Sequence, residues 1–220
     1  MNTLTTWARV ATLLGVAWLT ASGAVARADG LSDLEAFLKQ HRQGQATFTQ
    51  VVTPPRKEGE AQPRSKTSSG VFAFQRPDRF RFEYQRPFEQ TIVADGQTLW
   101  LYDVDLNQAS ARRQQDVLGN TPAALLAAAA DLKALGRVFE LSNGPVQDGT
   151  QWVQAVPRQR EGALQQVRIG FREGQLAALE ILDSFGQRSL MTFGPMNAQP
   201  GFKADHFRFT PPPGVDVIRP

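Results

Sequence analysis

The chain contains no cysteine. That excludes disulfide stapling, a thiolate metal site, and attachment of a lipid to a cysteine of its own. Histidine is nearly absent too: His41 and His206 are isolated from one another, and without cysteine a histidine-rich metal site cannot be assembled. His206 follows Asp205, but neighbours on a strand point to opposite faces, so the two do not make a base–carboxylate pair. There is no G-x-S-x-G elbow, no H-E-x-x-H and no phosphate-cradling glycine loop. No motif calls for catalysis, a metal or a cofactor, and the expectation is a protein that is not an enzyme.

A membrane-spanning run is also missing. Val10 to Thr20 is mostly apolar but is interrupted by Thr12 and Gly15, and it falls short of the roughly 20 residues needed to cross a bilayer. Arg9 precedes it, and the small-residue patterns Ala24-Val25-Ala26 and Ala26-Arg27-Ala28 follow. Residues 1–28 therefore read as a secretory signal peptide, with cleavage after Ala28 leaving Asp29 first. Export with no lipidated cysteine predicts a soluble periplasmic protein. Loss of Arg9 and Arg27 takes the net charge from +3 to +1, which gives no support to nucleic-acid binding. Residues 29–220 are of a length suited to one domain with a sizeable core.

What is present is a series of aromatic strands. From Gly70 to Asp103, aromatics fall on alternate positions: Phe72 and Phe74 on one strand, Phe80, Phe82 and Tyr84 on the next. The other face of that second strand carries Arg79, Arg81 and Glu83, so the sheet is greasy on one side and wet on the other. Asp95-Gly96, between Gln90-Thr91-Ile92-Val93 and Thr98-Leu99-Trp100-Leu101-Tyr102, is a hairpin signal.

Around this core, Ser32 and Glu35 suggest a capping box for a helix carrying Leu31, Leu34, Phe37 and Leu38, closed by Gly44. A strand containing Phe48 follows, then a polar loop from Pro54 to Ser69. A further strand is expected over Asp105 to Ala111. A second helical region opens at Asn120-Thr121-Pro122, runs through the alanines 123 to 130, breaks near Asp131 and ends at Gly136. Strands resume at Val138–Leu141, Trp152–Val156, Leu164–Phe171, Leu176–Leu182, Gln187–Phe193 and Ala204–Phe209. The fold class is mainly β with α: about eleven strands in an antiparallel, curled sheet forming an incomplete barrel, covered by two or three lid helices.

The string Arg76-Pro77-Asp78-Arg79-Phe80 is joined by the block Ile92 to Asp103, the start Gly119-Asn120-Thr121-Pro122, and the ending Phe207-Arg208-Phe209-Thr210-Pro211-Pro212-Pro213-Gly214-Val215. Together they resemble the periplasmic outer-membrane lipoprotein carrier family, LolA, over essentially all of residues 29–220. The resemblance implies an incomplete barrel with an apolar concave face under helices. It also implies a chaperone that takes acylated lipoproteins from an inner-membrane ABC-type release complex to an outer-membrane receptor lipoprotein, acting as a monomer. By position, Arg76 matches the arginine that latches the lid to the sheet. Phe80 and Phe82 match residues at the cavity mouth. The acyl-chain cavity is then expected to be lined by Phe48, Phe72, Phe74, Phe80, Phe82 and Trp100 from the sheet and by Leu125 and Leu126 from the lid.

Three other readings stay open at this point. A carrier of the same fold could serve other lipids or glycolipids, a non-transport sensor could bind lipoproteins through the same face, and a hydrolase could assemble its residues from distant parts of the chain.

Overall fold

The computed structural model describes residues 29–56, 59, 63–117, 129, 131–159 and 163–219. Helix α1 (Gly30–Gln40) is capped by Asp29, whose Oδ1 accepts from the Ser32 N–H at 2.8 Å. The expected capping box at Ser32 is thus one turn too late; Ser32 supplies the donor, not the cap. That N–H, first among the causes, holds the Asp29 carboxyl below the usual range. The helix stops at Gln40, with His41 as C-cap, and not at Gly44. Gly44 already lies in a strand, where a Cβ would come within 2.8 Å of the Phe74 ring and 2.7 Å of the Met196 sulfur. Its smallness serves close packing inside the sheet.

The strands are β1 (Gln43–Thr53), β2 (Lys66–Gln75), β3 (Arg79–Arg86), β4 (Gln90–Asp95), β5 (Thr98–Asp103), β6 (Gln108–Arg113), β7 (Phe139–Asn143), β8 (Gln151–Pro157), β9 (Leu164–Arg172), β10 (Gln175–Asp183), β11 (Arg188–Phe193) and β12 (Asp216–Ile218). They form one 12-stranded sheet in the order β12-β6-β5-β4-β3-β2-β1-β11-β10-β9-β8-β7, open between β7 and β12. Every neighbouring pair is antiparallel except β12 with β6. Strand β1 joins the halves by pairing with β2 on one side and β11 on the other. The β9–β10 hairpin turns through Glu173 and Gly174, both at positive φ (52° and 74°), the backbone that matches strand twist.

Several expected boundaries move. Strand β2 begins at Lys66, opposite Val52, so the polar connection is shorter than Pro54–Ser69. Residues 104–107 form a turn instead of opening β6, because Asp103 Oδ1 accepts from the Leu106 N–H at 3.1 Å and Asn107 takes φ 49°. Short helix α2 (Gln114–Val117) follows β6 directly. Of the expected second helix, residues 118–128 and 130 lie outside the described residues. Helix α3 (Leu132–Val138) starts where a break was expected, at Asp131, whose Oδ1 accepts from the Ala134 N–H at 2.7 Å; it continues past Gly136.

The expected strand Ala204–Phe209 is not one. This segment is turn and irregular backbone, and the terminal strand is β12 further on. Phe207 and Phe209 are spaced as in a strand, but the His206 N–H donates to the Lys203 carbonyl and the Arg208 N–H to the Asp205 carbonyl, the bonds of consecutive turns. The main core sits on the concave face, where α1 packs on β8 and β9 and buries Leu34, Phe37 and Leu38.

Candidate functional site

Antiparallel register places directly opposed residues on the same face. Phe74 of β2 opposes Phe80 of β3, which opposes Ala94 of β4. One rank along, Ala46 opposes Phe72, then Phe82, then Ile92. In the third rank Phe48 and Tyr84 flank Gly70. A Cβ at Gly70 would lie 1.9 Å from the Glu83 carbonyl oxygen, so glycine is required there. The bare backbone also lets Phe48 and Tyr84 meet across it, edge to face, with ring centroids 5.1 Å apart.

Phe48, Phe72, Phe74, Phe80 and Phe82 are each at most 2 % exposed. Phe72 and Phe82 stack at 4.5 Å, and Phe48 meets Phe82 edge-on at 5.7 Å. From α1, Phe37 reaches Phe74 at 5.9 Å. Burying such a side chain contributes about 1.5–3 kcal/mol, and each well-placed ring pair about 0.5–1.5 kcal/mol more. The expected lining residues from β1, β2 and β3 therefore form one continuous aromatic surface.

Trp100 does not join it. It opposes Val93, which opposes Arg81, and so stands on the convex face, where its ring packs 5.4 Å from Phe209. The apolar residues of β5 that share the concave face are Leu99 and Leu101. Leu125 and Leu126, expected from the lid, lie outside the described residues.

Arg76 follows β2 at the end of the aromatic ranks and is 7 % exposed. Its guanidinium lies over Phe74 and Phe37, 4.6 and 5.2 Å from the ring centroids. Nη1 donates to the His41 carbonyl at the end of α1, and Nε donates to the Ala129 carbonyl at 2.9 Å. Ala129 is itself buried in the main core. Burial, with a smaller contribution from Arg42, pushes the Arg76 pKa down to about 10, so the group remains charged at neutral pH. A buried cation is held only where carbonyls and ring faces replace its water, and Arg76 has both.

Gln114 carries no sequence signal; it stands in a polar run beside Arg113 and Gln115. It is nevertheless 2 % exposed. Its Nε2 donates to the Asp78 carbonyl at 2.7 Å, and its Oε1 accepts from the Gly96 N–H at 3.0 Å. It ties the turn after Arg76 to the β4–β5 turn, at the point where the chain leaves the sheet.

The convex face has a different cover. Arg81 pairs with Glu83 at 2.5 Å and donates to the His206 carbonyl at 3.3 Å. Phe209 lies against both Trp100 and Tyr102, and Phe207 is buried. No helix among the described residues is long and apolar enough to cross a membrane.

The family model "Outer membrane lipoprotein carrier protein LolA" matches residues 39–210. The outer-membrane lipoprotein carrier protein of Albidiferax ferrireducens is 58% identical, covering 91% of this chain and 96% of its own. That of Methylibium petroleiphilum is 48% identical, covering 93% and 98%. In fold, the chain is similar to the crystal structure of an uncharacterized conserved protein from Thermus thermophilus, with TM-score 0.51 at 12% identity over 86% of this chain and 96% of that one. With its curled sheet, its aromatic concave face and a family match over most of its length, the chain belongs to the LolA family of outer membrane lipoprotein carrier proteins.

Proposed function

We propose that this protein is a periplasmic carrier of acylated lipoproteins and performs no catalysis. In this reading residues 1–28 direct export and are removed. The folded chain receives cargo as a monomer from an inner-membrane ABC-type release complex and delivers it to an outer-membrane receptor lipoprotein. The cargo's acyl chains rest on the concave face formed by Phe48, Phe72, Phe74, Phe80 and Phe82, with Leu99 and Leu101 beyond them.

The observation that carries the reading is Arg76. It is a buried cation whose hydrogen bond to Ala129 O joins the aromatic sheet to the end of the alanine run. Each methylene of an acyl chain gains about 0.8 kcal/mol on burial, so a whole chain gains on the order of ten kcal/mol. A carrier that bound so strongly would not release. A cover closing over the empty face competes with the chains, and a charge-assisted hydrogen bond adds to the closed state alone. Arg76 is then a latch. Removing it weakens the closed state and strengthens cargo retention.

The test is stepwise transfer of a lipoprotein to outer-membrane receptor. Arg76→Leu is expected to accept cargo and fail to hand it over, while Arg79→Leu, on the wet face, transfers as wild type does. Equal behaviour of the two variants would remove Arg76 from the mechanism. The mass of the periplasmic form, expected to start at Asp29, tests export separately.

A further inference from the structure

The concave face changes chemistry from one end to the other. Nearest Arg76 its ranks are Phe74, Phe80 and Ala94, then Phe72, Phe82 and Ile92. In the third rank the residues beyond Tyr84 are polar: Gln90, Asp103 and Gln108. Further along the same face of β1 comes Gln50, and Ser189 of β11 follows opposite Val52. Tyr84 Oη donates to Gln50 Oε1 at 2.9 Å, and Gln50 Nε2 donates to Ser189 Oγ at 2.7 Å. Burial pushes the Tyr84 phenol up to about 12, so it stays a neutral donor.

This relay runs one way, and it ends with donors to spare. The Ser189 hydroxyl proton and the second Gln50 Nε2 proton have no acceptor among the described residues, although Ser189 is only 9 % exposed. An apolar trio of similar shape would serve a purely structural interior as well or better, because buried donors without partners oppose folding. Spare donors at the polar end of an apolar surface suit a ligand that is hydrocarbon for most of its length and carries carbonyl oxygens where the hydrocarbon ends.

We propose that Gln50 and Ser189 recognise the linkage region of the cargo: their free N–H and O–H take the carbonyl oxygens of the ester and amide bonds that join acyl chains to the lipoprotein's modified terminal residue. Tyr84 is a positioning residue that fixes the Gln50 amide. The proposal rests on the reading that acyl chains occupy the phenylalanine ranks. It also gives the cargo a direction. Chain ends point toward Arg76, and the polypeptide leaves at the other end, among the β1–β2, β3–β4 and β10–β11 connections.

The experiment compares two probes on the delipidated full chain: a synthetic triacylated cysteinyl peptide, which has the carbonyls, and diphenylhexatriene, which has none. Ser189→Ala and Gln50→Leu are expected to weaken peptide binding about three- to tenfold each and to leave dye binding unchanged. Tyr84→Phe is expected to weaken peptide binding less. As a second readout, the infrared stretch of a ¹³C-labelled ester carbonyl should fall in frequency on binding to wild type and recover in Ser189→Ala. A wild type that binds both probes with an unshifted carbonyl, or variants that bind the peptide as wild type does, would overturn linkage recognition while leaving the acyl site standing. A wild type that binds neither probe would overturn both. Should a variant fail to fold, the wild-type carbonyl shift alone decides.

Discussion

The two faces of this sheet are both covered, by opposite means. On the convex face the segment 202–210 lays Phe209 against Trp100 and Tyr102 and buries Phe207 beside Phe202, and β12 is then tied to β6 by a parallel ladder. On the concave face α1 and Leu135 of α3 are buried in the core, whereas Ala129 brings only a methyl group and a carbonyl that Arg76 holds. Lifting a large aromatic exposes its whole apolar area. Lifting an alanine exposes little, and the main loss is a hydrogen bond that a ligand or water can offset. The difference teaches where the proposed carrier would open: the convex cover is fastened by burial, whereas at Ala129 the described fastening is chiefly a polar contact, which in the proposed reading an apolar ligand outweighs.

That contrast can be broken by substitution. The largest loss of stability is expected for Phe74→Ala, which opens a cavity beneath both Phe37 and Arg76 and should cost about 3–5 kcal/mol in chemical denaturation. A result under about 1 kcal/mol would mean that the concave surface is not a packed core in the empty protein. Next comes Gln114→Ala. It leaves the Gly96 N–H and the Asp78 carbonyl without their partner, at about 1–3 kcal/mol, and should loosen the turn after Arg76. Phe209→Ala should cost about 1–2 kcal/mol because the ring is only half-buried, and lipoprotein transfer should be unaffected. A transfer defect there would erase the distinction between the covers. Smallest is Arg79→Leu, with stability within about 0.5 kcal/mol of wild type.

Much of this was legible in the sequence. The alternation of Phe72, Phe74, Phe80 and Phe82 gave both strands and their shared face, since period two survives any tertiary context. Trp100 was misassigned to that face for a related reason. Alternation fixes which residues of one strand belong together, but only pairing across the hairpin, Val93 with Trp100, decides which side they take. Phe207 and Phe209 mimic a strand because spacing alone does not distinguish a ladder from consecutive turns laid against a surface. Asp29 and Ser32 are both good N-caps by type, and the choice between them is set by where the chain turns into α1. Gln114 and the Gln50–Tyr84–Ser189 relay have no local signature, because their partners lie far off in sequence.

The central claim is that cargo displaces the concave cover and leaves the convex one in place. The chain's lack of cysteine makes this directly measurable, because a single introduced thiol reports alone. Ala129→Cys places it in the concave cover, on its buried side, and Ala109→Cys places it at a fully buried convex position beside β12. In the empty protein both should react slowly with a thiol reagent. On adding triacylated peptide, the thiol at 129 should react at least about tenfold faster while that at 109 does not change, as expected where only one cover opens locally. An unchanged rate at 129 under saturating peptide, or equal acceleration at both positions, would contradict the account.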